Sequence, residues 1–223
     1  DGAFSLVNFR KFMVHPESVN TFVYSVGIAL ITTLACLVLG YPAAWILSRS
    51  DNSTSQTIVM LFILPMWVNI LIRTLATVAL FDFLNMPLGE GALIFGMIYN
   101  FLPFMLYPIY NTLQKMDKSL IEAAQDLGAT PSQVFLKVIF PLSMPGIMSG
   151  VVMVFMPTIS TFAIAELLTM NNIKLFGTTI QENINNGMWN YGAALSLIML
   201  LLMGVTCLLG GDDDNETNEG GLM

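Results

Sequence analysis

Charge is scarce in this chain. Only 10% of its 223 residues are Asp, Glu, Lys or Arg, against about 25% in soluble domains. That shortage excludes an ordinary soluble enzyme or binding domain. Histidine is scarcer still, since His15 stands alone. A solvated side chain is expected there, and no metal site, because no second ligand is in view. No paired Asp/His or His/Glu spacing falls inside an apolar stretch, so no catalytic residue is expected. Cysteine occurs twice, as Cys36 and Cys207, each within an apolar tract. Buried thiols are therefore expected rather than a disulfide framework. No GxxxxGK[ST] phosphate loop occurs, so the chain does not hydrolyse ATP alone. No basic patch with interleaved aromatics occurs, so nucleic acid is not an expected partner. The chain starts at Asp1 without a signal-peptide pattern, and a truncated start is expected.

Apolar residues are abundant, at 55%, and the mean hydropathy is +0.72. A bilayer core of about 30 Å needs about 20 such residues in a helix. Five tracts qualify: Asn20–Leu47, Thr57–Phe81, Ala92–Leu113, Leu142–Ala165 and Asn190–Leu209. Four contain no charge, and the second contains only Arg73. The expected class is an all-α, polytopic membrane protein whose spanning domain covers residues 20–209. Pro42, Pro65, Pro103, Pro108 and Pro157 interrupt the tracts and predict kinked helices. Gly27, Ala29, Gly146 and Gly150 predict close helix approach.

Five spans place the two ends on opposite sides. Arg49, Lys115, Lys118 and Lys137 share one side, whereas Arg10, Lys11 and Lys174 share the other. The positive-inside bias puts the 114–140 loop in the cytoplasm and residues 1–19 outside. The tail 210–223 carries Asp212, Asp213, Asp214, Glu216 and Glu219 and is expected to be a disordered cytoplasmic segment. These five acids account for most of the net charge of −7.

The 114–140 loop reads as two short helices around a turn. Ser119 with Glu122 forms a capping-box pattern. Leu120, Ala124 and Leu127 then share one helical face. Gly128 is placed to end the helix in a left-handed conformation. Thr130, Pro131 and Gln133 open the second helix as cap, first position and closing residue. The small side chains of Ala123 and Ala124 suit insertion into a groove on another protein; a plain amphipathic re-entry loop is the other reading of the spacing.

The pattern Glu122-Ala123-Ala124-x3-Gly128-x9-Val138-x-Phe140-Pro141 resembles the EAA motif of binding-protein-dependent, MetI-like ABC importer permeases. Val138 and Phe140 depart from the usual Ile and Leu but stay apolar. Leu39–Trp45, Pro65–Arg73, Leu102–Met105 and Lys115–Ala129 are similar to spermidine/putrescine permeases of the PotB type. The resemblance implies a six-span bundle whose first span precedes Asp1. It implies a bacterial plasma (inner) membrane location and import of polyamines by alternating access. It also implies a cytoplasmic ABC ATPase dimer holding ATP and magnesium, a second, PotC-like permease, and an extracytoplasmic polyamine-binding protein. Glu122, Ala123, Ala124, Gly128 and Pro141 are then the ATPase-coupling residues. The acidic tail departs from the basic ends common in the family.

Moving a polyamine needs carboxylates and aromatic faces along a path. Asp82 and Glu166 end their tracts at the outer side, and Trp67 and Tyr99 offer aromatic faces. Helix-end solvation and interfacial anchoring are the competing readings of these four. Arg73 lies deep in its tract, which predicts a buried residue pairing with a carboxylate or helix-end carbonyls as a gate or clamp. The same class of importer for an amino acid, anion or metal chelate is the alternative function, with an ion channel behind it.

Overall fold

A computed structural model describes residues 7–14, 16–49 and 53–210. His15 and the acidic tail beyond Gly210 lie outside the described residues. Among the described residues every regular element is helical. In chain order these are α1 (Val7–Val14), α2 (Pro16–Arg49), α3 (Ser53–Ile63), a 3-10 turn (Leu64–Trp67), α4 (Ile70–Phe83) and α5 (Glu90–Gln114). They continue with α6 (Lys118–Asp126), α7 (Pro131–Val134), a π turn (Phe135–Ile139), α8 (Phe140–Leu142), α9 (Met144–Ser160), α10 (Ala163–Thr169), α11 (Phe176–Asn185) and α12 (Trp189–Gly210).

Among the described residues three helices are long and apolar enough to cross a membrane: Pro16–Arg49, Glu90–Gln114 and Trp189–Leu208. Two bent pairs bring the number to five if each counts as one span. The tract expected as one kinked span over 57–81 bends by 99° between Thr57–Trp67 and Ile70–Phe83. Proline explains the stop and asparagine the restart. Pro65 lacks the N–H that would continue α3. Asn69 caps α4, its Oδ1 accepting the Leu71 N–H at 2.8 Å. The tract expected over 142–165 likewise separates into α9 and α10, with a 59° bend before α9. Pro42, Pro103, Pro108 and Pro157 do lie inside helices.

The chain divides into two compact units. One comprises, of the described residues, 7–14, 16–34, 68–100 and 155–207. Its core gathers Ala29, Phe155, Ile159, Phe176, Tyr191, Leu195 and Met199. Phe22 meets Phe176 edge-on at 5.0 Å between centroids, and Phe12 packs on both. Ser25 ties the start of α11 to α2 by accepting the Phe176 N–H at 2.7 Å.

The other unit comprises, of the described residues, 35–49, 53–67, 101–154 and 208–210. Small residues let its helices meet. A Cβ on Gly146 would stand 2.5 Å from Thr112 Oγ1, and one on Gly150 would stand 2.8 Å from Met105 Sδ. Gly40 faces the same Met105. Gly27, by contrast, has nothing within 4 Å of where its Cβ would be, so the close approach expected there is absent. Cys36 is buried as expected, but Cys207 is exposed. α12 presents Leu197, Leu200, Leu201 and Leu208 outward, so its own apolar face is not consumed by the described core.

Candidate functional site

The segment between α5 and α9 is built from backbone caps. Asp117, not Ser119, is the cap of α6: its Oδ1 accepts the Ser119 N–H at 2.9 Å. An aspartate cap also places its carboxylate at the positive end of the helix, which serine cannot do. Hydrogen bonds from the Ser119 backbone and side chain hold the exposed Asp117 carboxyl below its ordinary pKa. α6 ends in a Schellman arrangement. The Ala129 N–H reaches Ala124 O at 3.1 Å, and the Gly128 N–H reaches Gln125 O at 2.8 Å. Gly128 sits at φ +80°, with open space where a Cβ would be. Glycine is needed there for its backbone freedom, not for room.

α7 opens with the anticipated capping box, in which the Thr130 N–H donates to Gln133 Oε1 at 2.9 Å. α6 buries none of its residues. Glu122 and Ala123 are exposed and Ala124 is half-buried. The face shared by Leu120 and Leu127 is open too, and Leu127 is 89% exposed. The outward surface is therefore larger and more apolar than Ala123 and Ala124 alone would make it. Together with Leu120 and Ala123, Leu127 forms an exposed apolar surface of a kind that a partner can cover.

Past α7 the continuous helix expected from the caps gives way to the π turn. The Phe140 N–H reaches back five residues to Phe135 O. Pro141 cannot donate to the Lys137 carbonyl, which removes the bond that a plain α-helix would have there. The turn packs an aromatic cluster. Phe135 lies 5.9 Å from Tyr41, 6.0 Å from Trp45 and 6.5 Å from Phe140, centroid to centroid. Its contacts with Tyr41 and Trp45 are edge-to-face, each worth about 0.5–1.5 kcal/mol beyond burial. The Arg49 guanidinium stands 4.4 Å over the Trp45 ring. Ser143 donates to Phe140 O at 2.8 Å, which leaves its oxygen to accept from Tyr41 at 3.0 Å. Sequence reading missed this cluster. The signal available was Tyr41 and Trp45 at i, i+4 on one helix face.

The substrate-path candidates sit on four separate elements. Asp82 is exposed near the end of α4, and Glu166 is half-buried in the first turn of α10. Trp67 is 87% exposed and Tyr99 is 45% exposed. Among the described residues no hydrogen bond or ion pair joins Asp82, Glu166 and Tyr99. Arg73 is buried as expected, but the expected carboxylate is missing among the described residues. Its Nε and Nη1 have no hydrogen-bond partner.

A polar cavity of about 320 Å³ opens instead beside Glu17, Ser18, Lys11, Lys174, Glu182 and Tyr191. Lys174 and Glu182 pair at 2.6 Å, Ser18 and Tyr191 share a hydrogen bond at 2.9 Å, and Lys11 lies 5.1 Å over the Tyr191 ring. Two ammonium groups balance two carboxylates there, so net charge alone does not draw a cation. Only proximity in space joins α1 and α2 to α11 and α12 at this cavity, and no local sequence pattern announces it. Among the described residues no cluster of three His, Cys, Asp or Glu is placed to hold a metal ion.

Known proteins match both the sequence and the fold. Residues 36–211 match the family described as binding-protein-dependent transport system inner membrane component. The spermidine/putrescine transport system permease protein PotB of Escherichia coli (strain K12) is 36% identical over 224 residues, covering 92% of this chain and 81% of that protein. PotB of Haemophilus influenzae is 36% identical over 197 residues, covering 80% and 69%. Among solved structures, a bacterial ABC transporter that imports the acidic polysaccharide alginate aligns with a TM-score of 0.75 at 13% identity, covering 98% of this chain and 86% of that one. The inward-facing MetNI methionine ABC transporter aligns with a TM-score of 0.67 at 18% identity, covering 88% and 96%. At these identities the structures speak for the fold, and the sequence matches speak for kinship. The chain belongs to the family of binding-protein-dependent transport system inner membrane components.

Proposed function

We propose that this chain is the permease subunit of an ATP-driven importer that carries spermidine and putrescine across the bacterial inner membrane. The exposed, double-capped α6–α7 segment carries the reading. A water-exposed apolar tip fixed by a Schellman turn and a capping box is a docking element, and a channel has no use for one. In this reading Glu122, Ala123, Ala124 and Gly128 face a cytoplasmic ABC ATPase dimer, and Pro141 ends the coupling segment. ATP and magnesium are held by that ATPase, and the permease itself does no chemistry. A PotC-like second permease completes the pathway, and an extracytoplasmic binding protein delivers the cargo. The polyamine assignment rests on the similarity to PotB over 92% of the chain.

Uptake of radiolabelled spermidine into proteoliposomes holding the whole transporter tests this reading. Excess unlabelled putrescine should compete, and amino acids and alginate should not. Competition only by an unrelated solute would replace polyamine as the cargo. One observation favours that second reading, an importer of the same class for another solute. The outer cavity is charge-balanced rather than acidic.

A further inference from the structure

We propose that Phe135 is a positioning residue that hands motion of the coupling segment to α2, with Trp45 and Tyr41 as its receivers. The inference rests on the coupling reading of α6 and α7 and goes one step past it. Docking explains why α6 is exposed. It does not explain what in the permease the docked segment moves.

Three observations converge on Phe135. The first is contact: its ring meets Trp45 and Tyr41 edge-on, at 80° and 88° between ring planes. Both receivers sit on one face of the cytoplasmic end of α2. The second is a backbone that can change register. Phe135 opens the π turn, whose Phe140 N–H to Phe135 O bond spans five residues. A π turn holds one residue more than an α turn. Passing that residue along the helix would swing the Phe135 ring by about 100°, the angle between successive residues in an α-helix. The third is a missing backbone bond on the receiving side. Pro42 lies within α2, between Tyr41 and Trp45, and has no N–H for the Val38 carbonyl.

The cluster is also tied at both ends. Tyr41 bonds to Ser143, just past the coupling segment, and Arg49 covers the outer face of Trp45. Pro141 beside the π turn and Pro42 in α2 each leave a backbone bond unmade, so both walls of the cluster can deform more easily than a plain α-helix. Together they make a stiff aromatic contact between two deformable backbones, the arrangement expected of a lever.

The complete transporter, with its ATPase, second permease and binding protein, tests this in proteoliposomes. Three quantities are read for Phe135→Ala, Trp45→Ala and Phe135→Tyr: ATPase co-purified per permease, ATP hydrolysed, and spermidine taken up. Phe135→Ala and Trp45→Ala should retain the parent amount of ATPase while uptake per ATP falls tenfold or more. Phe135→Tyr keeps the ring and should keep the parent ratio. Unchanged uptake per ATP in both alanine variants overturns the proposal. Loss of ATPase in proportion to uptake also overturns it, by placing Phe135 in docking. Failure of both chains to accumulate overturns it as well, by assigning the cluster to folding alone. Gly128→Val keeps the two readings apart. If it couples normally, the docking segment itself is misassigned. If it uncouples while Phe135→Ala does not, only the lever fails.

Discussion

The Tyr41 hydroxyl and Ser143 Oγ lie 3.0 Å apart although 102 residues separate them in sequence. Because Ser143 spends its own proton on Phe140 O, Tyr41 is the donor. Tyr41→Phe therefore leaves a hydroxyl oxygen short of one partner and keeps the ring that packs on Phe135. A neutral hydrogen bond of this kind contributes about 1 kcal/mol. The detergent-solubilised variant should unfold a few degrees below the parent, and Tyr41→Ala, which also removes the ring contacts, should fall further. Equal melting temperatures for Tyr41→Phe and parent would remove the bond from the account of stability.

Gly128 ends α6 at φ +80°, within the segment proposed to couple transport to ATP hydrolysis. A side-chain-bearing residue there costs about 1–2 kcal/mol in the left-handed region, and a β-branched one costs more. The cost falls on the turn alone, since a Cβ meets nothing within 4 Å. Gly128→Val should insert in the membrane at parent levels and hydrolyse ATP without matching uptake. Gly128→Asn, which tolerates that backbone, should retain most coupling. Uptake by the valine variant at the parent rate would count against the segment as a coupler.

Asp117 gives the α6 cap a pH dependence. Its folded pKa is depressed by the Ser119 hydrogen bonds, relative to an unfolded value of about 3.9. A depressed carboxyl contributes stability that is fully present above the unfolded pKa and is lost as pH falls through the lower folded value. Amide exchange at Ser119 and Leu120 should therefore be flat from neutral pH down to about pH 4, once corrected for intrinsic rates, and rise below it. In Asp117→Asn that acid step should disappear. Persistence of the step in the asparagine variant would assign it to another group.

Much of this architecture is written in local chemistry, and what is not depends on distance along the chain. Gly128, Thr130 and Gln133 announce their caps because each acts within four residues of itself. The charge-free tracts announce spans because lipid tolerates little else. Ser119 misled because two good caps, Asp117 and Ser119, lie two residues apart and local spacing does not rank them. The right-angle break after Pro65 needed Asn69 to be read together with it, as stop followed by restart. Gly146 and Gly27 look alike in sequence, yet only Gly146 is pressed against Thr112. The Phe135 cluster, the cavity beside Glu17 and the burial of Arg73 all depend on contacts between distant segments. Periodicity carries no information about those contacts.

Glu166 is the carboxylate best placed to separate cargo from scaffold. It lies half-buried in the first turn of α10, a helix that packs on α4, and no described ion pair neutralises it. An acid in a first helical turn is already favoured by the helix dipole, so a purely structural role predicts a small loss of stability and no change in cargo affinity. A role on the polyamine path predicts the reverse. Losing one ammonium–carboxylate contact of about 1 kcal/mol is roughly a fivefold change in affinity. Glu166→Gln preserves shape and removes the charge. In the assembled transporter it should raise the spermidine concentration needed for half-maximal uptake by about that factor, with the melting temperature little changed. A shifted melting temperature with an unshifted uptake curve would return Glu166 to the scaffold.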